Sequence, residues 1–318
     1  MCRATEPTTT EYCINFAKEK GFKPESEVLD DGTTAHWLGK TDAKYLIYYL
    51  HGGGFACAAN TGHLKFLWEA INQPNLSASV SILLLDYGKQ ASKLHPYSNP
   101  HLIHNQRDLT GTPQTTFPRQ LSQCITMLTH ILTLRPASQI LLSGDSAGAN
   151  MILGLLSQIT HPSPILPPFS IASKFPTACL ICPWGIFQIP SGEEKACSFV
   201  RNMDKDYINA MSLENWSGAY LEGQKANVYN QPFLAEKGWW EASADVVEDV
   251  LILGGEDEVL LDAIRAFSER FSSEHPHTTV AITKNEVHDS PMADYLFGGK
   301  EIGDQALLFR KWVREHAV

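Results

Sequence analysis

Apolar positions along this chain follow two different periods, and the two alternate. Tyr45 to Leu50 is a nearly continuous apolar and aromatic run, as a strand covered on both faces requires. Similar short runs recur at Val80–Asp86, at Ile140–Leu142, at Ala178–Cys182, at Val250–Leu253 and at Thr279–Thr283, with a further strand at Thr33–Leu38. Between them the period changes. Leu121, Cys124, Ile125, Leu128, Ile131 and Leu132 mark one face of a helix, and so do Met151, Ile152, Leu155, Leu156 and Ile159. Helices are likewise expected at 1–21, at about Gly62–Ile71, over Val259–Phe271 and from about Asp304 to Glu315. Strands alternating with helices predict a doubly wound, mostly parallel sheet with helices on both faces. A ligand site in such a sheet lies at the carboxyl ends of the strands.

Two stretches break the pattern. Residues 89–117, rich in Pro, Asn, His and Thr, read as a long irregular loop near the active face. Its His95, His101 and His104 lack the cysteine or carboxylate spacing of a metal site and read as solvated histidines. Residues 185–245 carry Phe187, Phe199, Tyr207, Trp216, Tyr220, Tyr229, Phe233, Trp239 and Trp240 amid polar sequence, an insertion large enough for a lid. Its aromatics are expected chiefly to pack the lid rather than to touch substrate.

Composition narrows the classes. With 318 residues, 43% of them hydrophobic and 19% charged, the chain is an ordinary globular protein able to bury a large core. A net charge of −10 argues against nucleic acid or an anionic membrane as partner. The seven cysteines are odd in number and unspaced, which points to reduced thiols, and Cys179-Leu180-Ile181-Cys182 resembles a metal motif in spelling only. The N-terminus has no apolar signal core, no run reaches membrane-spanning length, and two glycosylation sequons (Asn75 and Asn215) mean little without export. A cytoplasmic protein is therefore expected. Oligomeric state is open, a homodimer included.

Four features fall just past strand ends. Gly144-Asp145-Ser146-Ala147-Gly148 places a serine at a strand-to-helix turn, flanked two residues away by glycines that the strained backbone requires. His51-Gly52-Gly53-Gly54-Phe55 follows the central strand, where glycines let backbone amides approach a ligand. Asp257 follows the run ending in Gly254-Gly255, and His288 follows the last strand. A serine hydroxyl needs a base, and that base a carboxylate to orient it; the order serine, acid, histidine is that of α/β-hydrolases.

These residues resemble the hormone-sensitive-lipase-like group of α/β-hydrolases, which includes many carboxylesterases. The likeness rests on His51-Gly52-Gly53-Gly54, Gly144-Asp145-Ser146-Ala147-Gly148, Gly255-Glu256-Asp257 and His288, and it extends from about residue 44 onward. It implies Ser146 as nucleophile, Asp257 as acid and His288 as base. The oxyanion hole it implies is the amides of Gly53, Gly54 and Ala147, each worth roughly 2.7–4 kcal/mol in the transition state. His51, with Gly52, would orient the loop, and Asp145 would support the elbow. The implied architecture is one α/β-hydrolase domain over 1–318, capped by about 1–40 and 185–245. Because Glu256 and Glu258 flank Asp257, the choice of acid rests on family register, and Asp289 stands where it could perturb the histidine.

The function expected is hydrolysis of a carboxylic ester through an acyl-enzyme, with a small, largely apolar substrate in the range of secondary metabolites, and without cofactor or metal. Two alternatives remain open. The same triad could serve acyl transfer, cyclisation or elimination, or the scaffold could be a small-molecule receptor.

Overall fold

The computed structural model describes residues 7–74, 76, 79–88, 116–189, 197–299 and 302–317. Most of the irregular stretch at 89–117, with its three histidines, and the Asn75 sequon lie outside the described residues. Elsewhere the two periods settle into one sheet. Its strands are β1 (Glu25–Val28), β2 (Thr34–Leu38), β3 (Tyr45–Leu50), β4 (Val80–Asp86), β5 (Ile140–Asp145), β6 (Phe175–Ile181), β7 (Val247–Gly255) and β8 (Thr278–Thr283). They run in the order β1-β2-β4-β3-β5-β6-β7-β8, parallel from β4 through β8, with β1 and β2 antiparallel at one edge. The expected doubly wound fold is met. Strand β1 was not foreseen, since Glu25-Ser26-Glu27-Val28 is an exposed edge with little apolar signal.

The pleat divides the core in two. Leu46, Tyr48 and Leu50 of β3 face one cluster, with Leu83 and Leu85 of β4 and Ile140 and Leu142 of β5. Ile47 and Tyr49 face the other, with Val80, Ile82, Leu84 and Leu141. Alternation at period two on a strand buried on both faces gives this split directly. The first cluster is covered by α3 (Arg119–Leu134), α4 (Ala147–Thr160) and α7 (Leu261–Glu274), the second by α1 (Thr9–Lys20), α2 (Thr61–Ile71) and α9 (Asp304–His316).

Among the described residues between β6 and β7 are two further α-helices, α5 (Ser198–Arg201) and α6 (Ala210–Leu221). The aromatics of this segment separate into two groups. Phe233 stacks on Phe267 of α7 at 4.2 Å and Trp240 lies 5.3 Å from Phe271, so its later part is ordinary core packing. Phe187 and Tyr220 pack instead around Phe55, next to the glycine loop. Helix α8 (Ser290–Phe297), also unforeseen, begins two residues past His288. Cys179 and Cys182 are buried and free, as expected of thiols at a strand end, and so are the other cysteines among the described residues that the core encloses, Cys13 and Cys124.

The elbow glycines have a steric reason. A Cβ on Gly144 would lie 2.6 Å from the Gly148 backbone, and a Cβ on Gly148 would overlap the Leu50 carbonyl at the end of β3. The clash is with backbone on a central strand, which cannot yield. Gly148→Ala should therefore cost more than about 3 kcal/mol, the upper end of overpacking penalties, read as a fall in the urea midpoint or as loss of soluble protein.

Candidate active site

Ser146 sits between β5 and α4 with φ 49° and ψ −113°, a left-handed conformation rare for a residue with a Cβ. Neighbouring backbone holds it there. Its N–H donates to Ile181 O at 2.8 Å, and its carbonyl accepts from Trp184 N at 3.2 Å and Asn150 N at 3.1 Å. Strain of this kind costs about 1–3 kcal/mol and persists only where the surroundings over-determine it.

The hydroxyl points at a histidine. Ser146 Oγ lies 2.9 Å from His288 Nε2, and His288 Nδ1 lies 3.0 Å from Glu258 Oε2. A carboxylate can only accept here, so the Nδ1–H donates to Glu258 and the Nε2 lone pair is left for the serine proton. Both side chains are buried. The second oxygen of Glu258 accepts from Gly255 N at 2.7 Å, and Asn202 Nδ2 bonds the Glu258 carbonyl at 2.9 Å.

This corrects the expected acid. Asp257 is not the carboxylate on the histidine; its Oδ1 pairs with Lys205 Nζ at 2.5 Å, at a partly exposed position. The cause is the turn that ends β7. Asp257 N bonds Glu286 O, and Glu258 N bonds back to Gly255 O. That turn folds the longer Glu258 side chain inward over Gly255, towards the β8–α8 loop. Three consecutive acids cannot be told apart by composition; only the turn selects one.

The glycine loop touches the serine. A Cβ on Gly52 would collide with Asp145 Oδ2 and come within 3.1 Å of Ser146 Cβ. Gly53 and Gly54 have φ of 97° and 62°, which favour glycine. His51 Nδ1 donates to Gly52 O at 2.7 Å, its ring stacks on Tyr87 at 4.2 Å, and the Tyr87 hydroxyl bonds the His51 carbonyl at 2.5 Å. Burial, with His63 nearby, pushes His51 down to about 4, so it is a neutral strut rather than a charge. Ala147 opens α4, so its N–H has no intrahelical acceptor.

Asp145, next to the serine, is buried and tied to Tyr49 Oη at 2.7 Å and His63 Nε2 at 3.2 Å. Burial works to raise its pKa; His63, by charge and hydrogen bond, and Tyr49 outweigh it and hold the carboxyl below its ordinary range. His63 also accepts at Nδ1 from Asn60 N, the cap of α2. The elbow, the glycine loop and α2 thus share one buried network. His63 and Tyr49 escaped sequence reasoning because each looks like an ordinary element residue; a histidine in the first turn of the helix after a triple glycine was the available signal.

A strained serine facing a buried histidine–glutamate pair at the carboxyl edge of a doubly wound sheet defines an α/β-hydrolase. The chain belongs to the steryl acetyl hydrolase family, whose model matches residues 31–297, and the enzyme is accordingly a hydrolase of carboxylic esters. No curated protein sequence matches it. Among solved structures it is similar to an esterase/lipase from an uncultured bacterium, at 20% identity and a TM-score of 0.65, covering 99% of this chain and 94% of that one. It is also similar to esterase LipW from Mycobacterium marinum, at 18% identity, TM-score 0.66, and coverage of 97% and 85%. The third is carboxyl esterase 2 from the mycorrhizal fungus Tuber melanosporum, at 15% identity, TM-score 0.68, and coverage of 93% and 86%. At these identities the likeness is one of fold. Among the described residues no helix is long and apolar enough to cross a membrane.

The hydrogen bonds separate the two acids experimentally. Glu258→Gln should lower kcat on p-nitrophenyl acetate on the order of 10⁴-fold, as loss of a histidine-orienting carboxylate does. Asp257→Asn should stay within about threefold of wild type, because an exposed ion pair contributes little. The reverse order would return the role to Asp257.

Proposed function

We propose that this chain is a serine-dependent carboxylesterase acting through an acyl-enzyme. Ser146 is the nucleophile, His288 the general base and then acid, and Glu258 the carboxylate that orients it. The observation that carries this reading is the unbroken relay Ser146 Oγ–His288 Nε2 and His288 Nδ1–Glu258 Oε2, at 2.9 and 3.0 Å. As Ser146 attacks the ester carbonyl, its proton passes to Nε2; the imidazolium returns it to the leaving alcohol oxygen. Water repeats the sequence in reverse to free the acid. The amides of Gly53, Gly54 and Ala147 receive the oxyanion. A receptor role would have no use for the intact relay, and the proposal sets it aside.

The family description supports an acetyl ester of an apolar alcohol, and the distribution of space agrees. Beside the glycine loop the site is closed by rings. A Cβ on Gly54 would meet Trp216 of α6 at 2.5 Å, and Trp216 lies 6.5 Å from Trp184, which packs on Phe187 at 4.6 Å. Behind Trp184 and Phe187 lies a small cavity of about 60 Å³. On the histidine side, Tyr207 lies 6.5 Å from the His288 ring, and an open cleft of about 320 Å³ is lined by Tyr207, Val287, Ala293 and Phe297. We assign the acyl group to the first and the alcohol to the second. Helix α6 and the N-terminal segment, where Thr10 Oγ1 bonds Asp86 at the end of β4 at 2.9 Å, act as the cap.

Ser146→Ala should abolish turnover, by at least about 10⁵-fold, with the circular-dichroism spectrum unchanged; near-full hydrolysis by that variant would end the serine mechanism. Trp216→Ala should raise kcat/KM for p-nitrophenyl octanoate relative to acetate by about tenfold, the effect of opening an apolar pocket by a few methylenes. An unchanged ratio would move the acyl group elsewhere.

A further inference from the structure

Asp289 is a carboxylate at the reaction centre that the relay does not use. Its Oδ2 lies 3.3 Å from His288 Nε2, the same nitrogen that faces Ser146 Oγ at 2.9 Å. The residue is only 5% exposed, and its Oδ1 has no hydrogen-bond partner among the described residues. Its backbone, at φ 49° and ψ 36°, is in the left-handed region that favours glycine. Three bonds hold it there. Its N–H meets Cys182 Sγ at 3.4 Å, and its carbonyl accepts from Met292 N at 2.9 Å and Ala293 N at 3.0 Å at the start of α8. These bonds fix the backbone, and from it the buried side chain reaches towards Nε2.

We propose that Asp289 is a positioning residue, a second carboxylate partner that accepts from the His288 Nε2–H whenever the histidine carries the serine or water proton. This rests on the serine-esterase reading above. The two carboxylates then hold the ring from opposite ends, Glu258 at Nδ1 and Asp289 at Nε2. In acylation the proton moves from Ser146 Oγ to Nε2 and on to the leaving oxygen. In deacylation it moves from water to Nε2 and back to Ser146. Asp289 gains and loses no atom in either step; it stabilises the imidazolium common to both, and it keeps Nε2 fixed while the leaving oxygen is exchanged for water.

The charges around the pair act on it in both directions, and the attraction between His288 and Asp289 is the part this role uses. Facing it are Glu258 after β7, Asp206 and Tyr207 from the segment before α6, Asp145 at the end of β5 and the Cys182 thiol at the end of β6. Burial works to lower His288, and Asp289, Glu258 and Asp206 outweigh it, raising the imidazole to about 10. Burial also raises Asp289, with Asp145, Glu258 and Asp206 adding to it and His288 alone opposing. A carboxylate 3.3 Å from Nε2 favours the protonated ring, and that proton must leave before Nε2 can accept from serine. The consequence is an esterase whose acid limb lies above the ordinary imidazole range, about 6.5.

The test is kcat/KM for p-nitrophenyl acetate against pH, for wild type, Asp289→Asn and Asp289→Glu, with Ser146→Ala as control. Wild type should show an acid limb clearly above the ordinary imidazole value. Asp289→Asn, which keeps the shape and removes the charge, should move that limb down by at least about one pH unit, the effect of losing one adjacent opposite charge. Asp289→Glu should keep the limb high. A wild-type limb at or below the ordinary imidazole value overturns the proposal without any variant, so failure of Asp289→Asn to fold would not shield it. An Asp289→Asn limb unchanged from wild type, with only the melting temperature altered, would leave Asp289 a helix-start residue. Turnover surviving in Ser146→Ala would instead remove the serine reading on which the proposal stands.

Discussion

The contact on which the rest of this structure depends is backbone against backbone, where the start of α4 crosses the end of β3. Gly148 lies so close to the Leu50 carbonyl that no side chain fits between them, and Gly144 is as tightly placed against Gly148. That approach sets the angle at which α4 leaves the sheet, and it forces Ser146 into a positive φ. It also brings the elbow beside the loop that follows Leu50, which is why Gly52 touches both Asp145 and Ser146. Ser146 and the glycine loop are juxtaposed because their strands, β3 and β5, are neighbours in the sheet.

The second constraint is electrostatic. Four carboxylates, Asp145, Asp206, Glu258 and Asp289, act on one another and on His288 in a largely buried region. Each has a separate solution. Asp145 accepts from Tyr49 and His63, and Glu258 from the Nδ1–H and the Gly255 amide. Asp206 accepts from Val259 N at 2.8 Å. The Asp289 carboxyl meets His288 alone among the described residues. A buried acid is tolerated only where a partner offsets its desolvation, and here the partner is the histidine that faces Ser146.

Much of the site was legible because its chemistry is tied to local rules. A glycine two residues either side of a serine, at the end of an apolar run, is a steric statement that sequence alone carries. Three glycines after a buried strand are another. The alternation of strands and helices placed Ser146, the glycine loop, the acidic turn and His288 just past strand ends, on one edge of the sheet.

What the sequence could not decide was which acid among Glu256, Asp257 and Glu258 reaches the histidine. The letters favoured Asp257 by register, yet Asp257 turns to Lys205 while Glu258 folds back over Gly255. That choice depends on the hydrogen bonds of one turn and on a loop some thirty residues later in the chain. The same is true of His63, Tyr49 and Tyr87, whose roles arise from contacts between residues far apart in sequence. Periodicity and glycine placement report what a residue does to its own backbone, and so they determined the fold and the places of the elbow serine and the glycine loop. Which side chains meet across the active site is decided by packing between elements, and only the tertiary structure could reveal it.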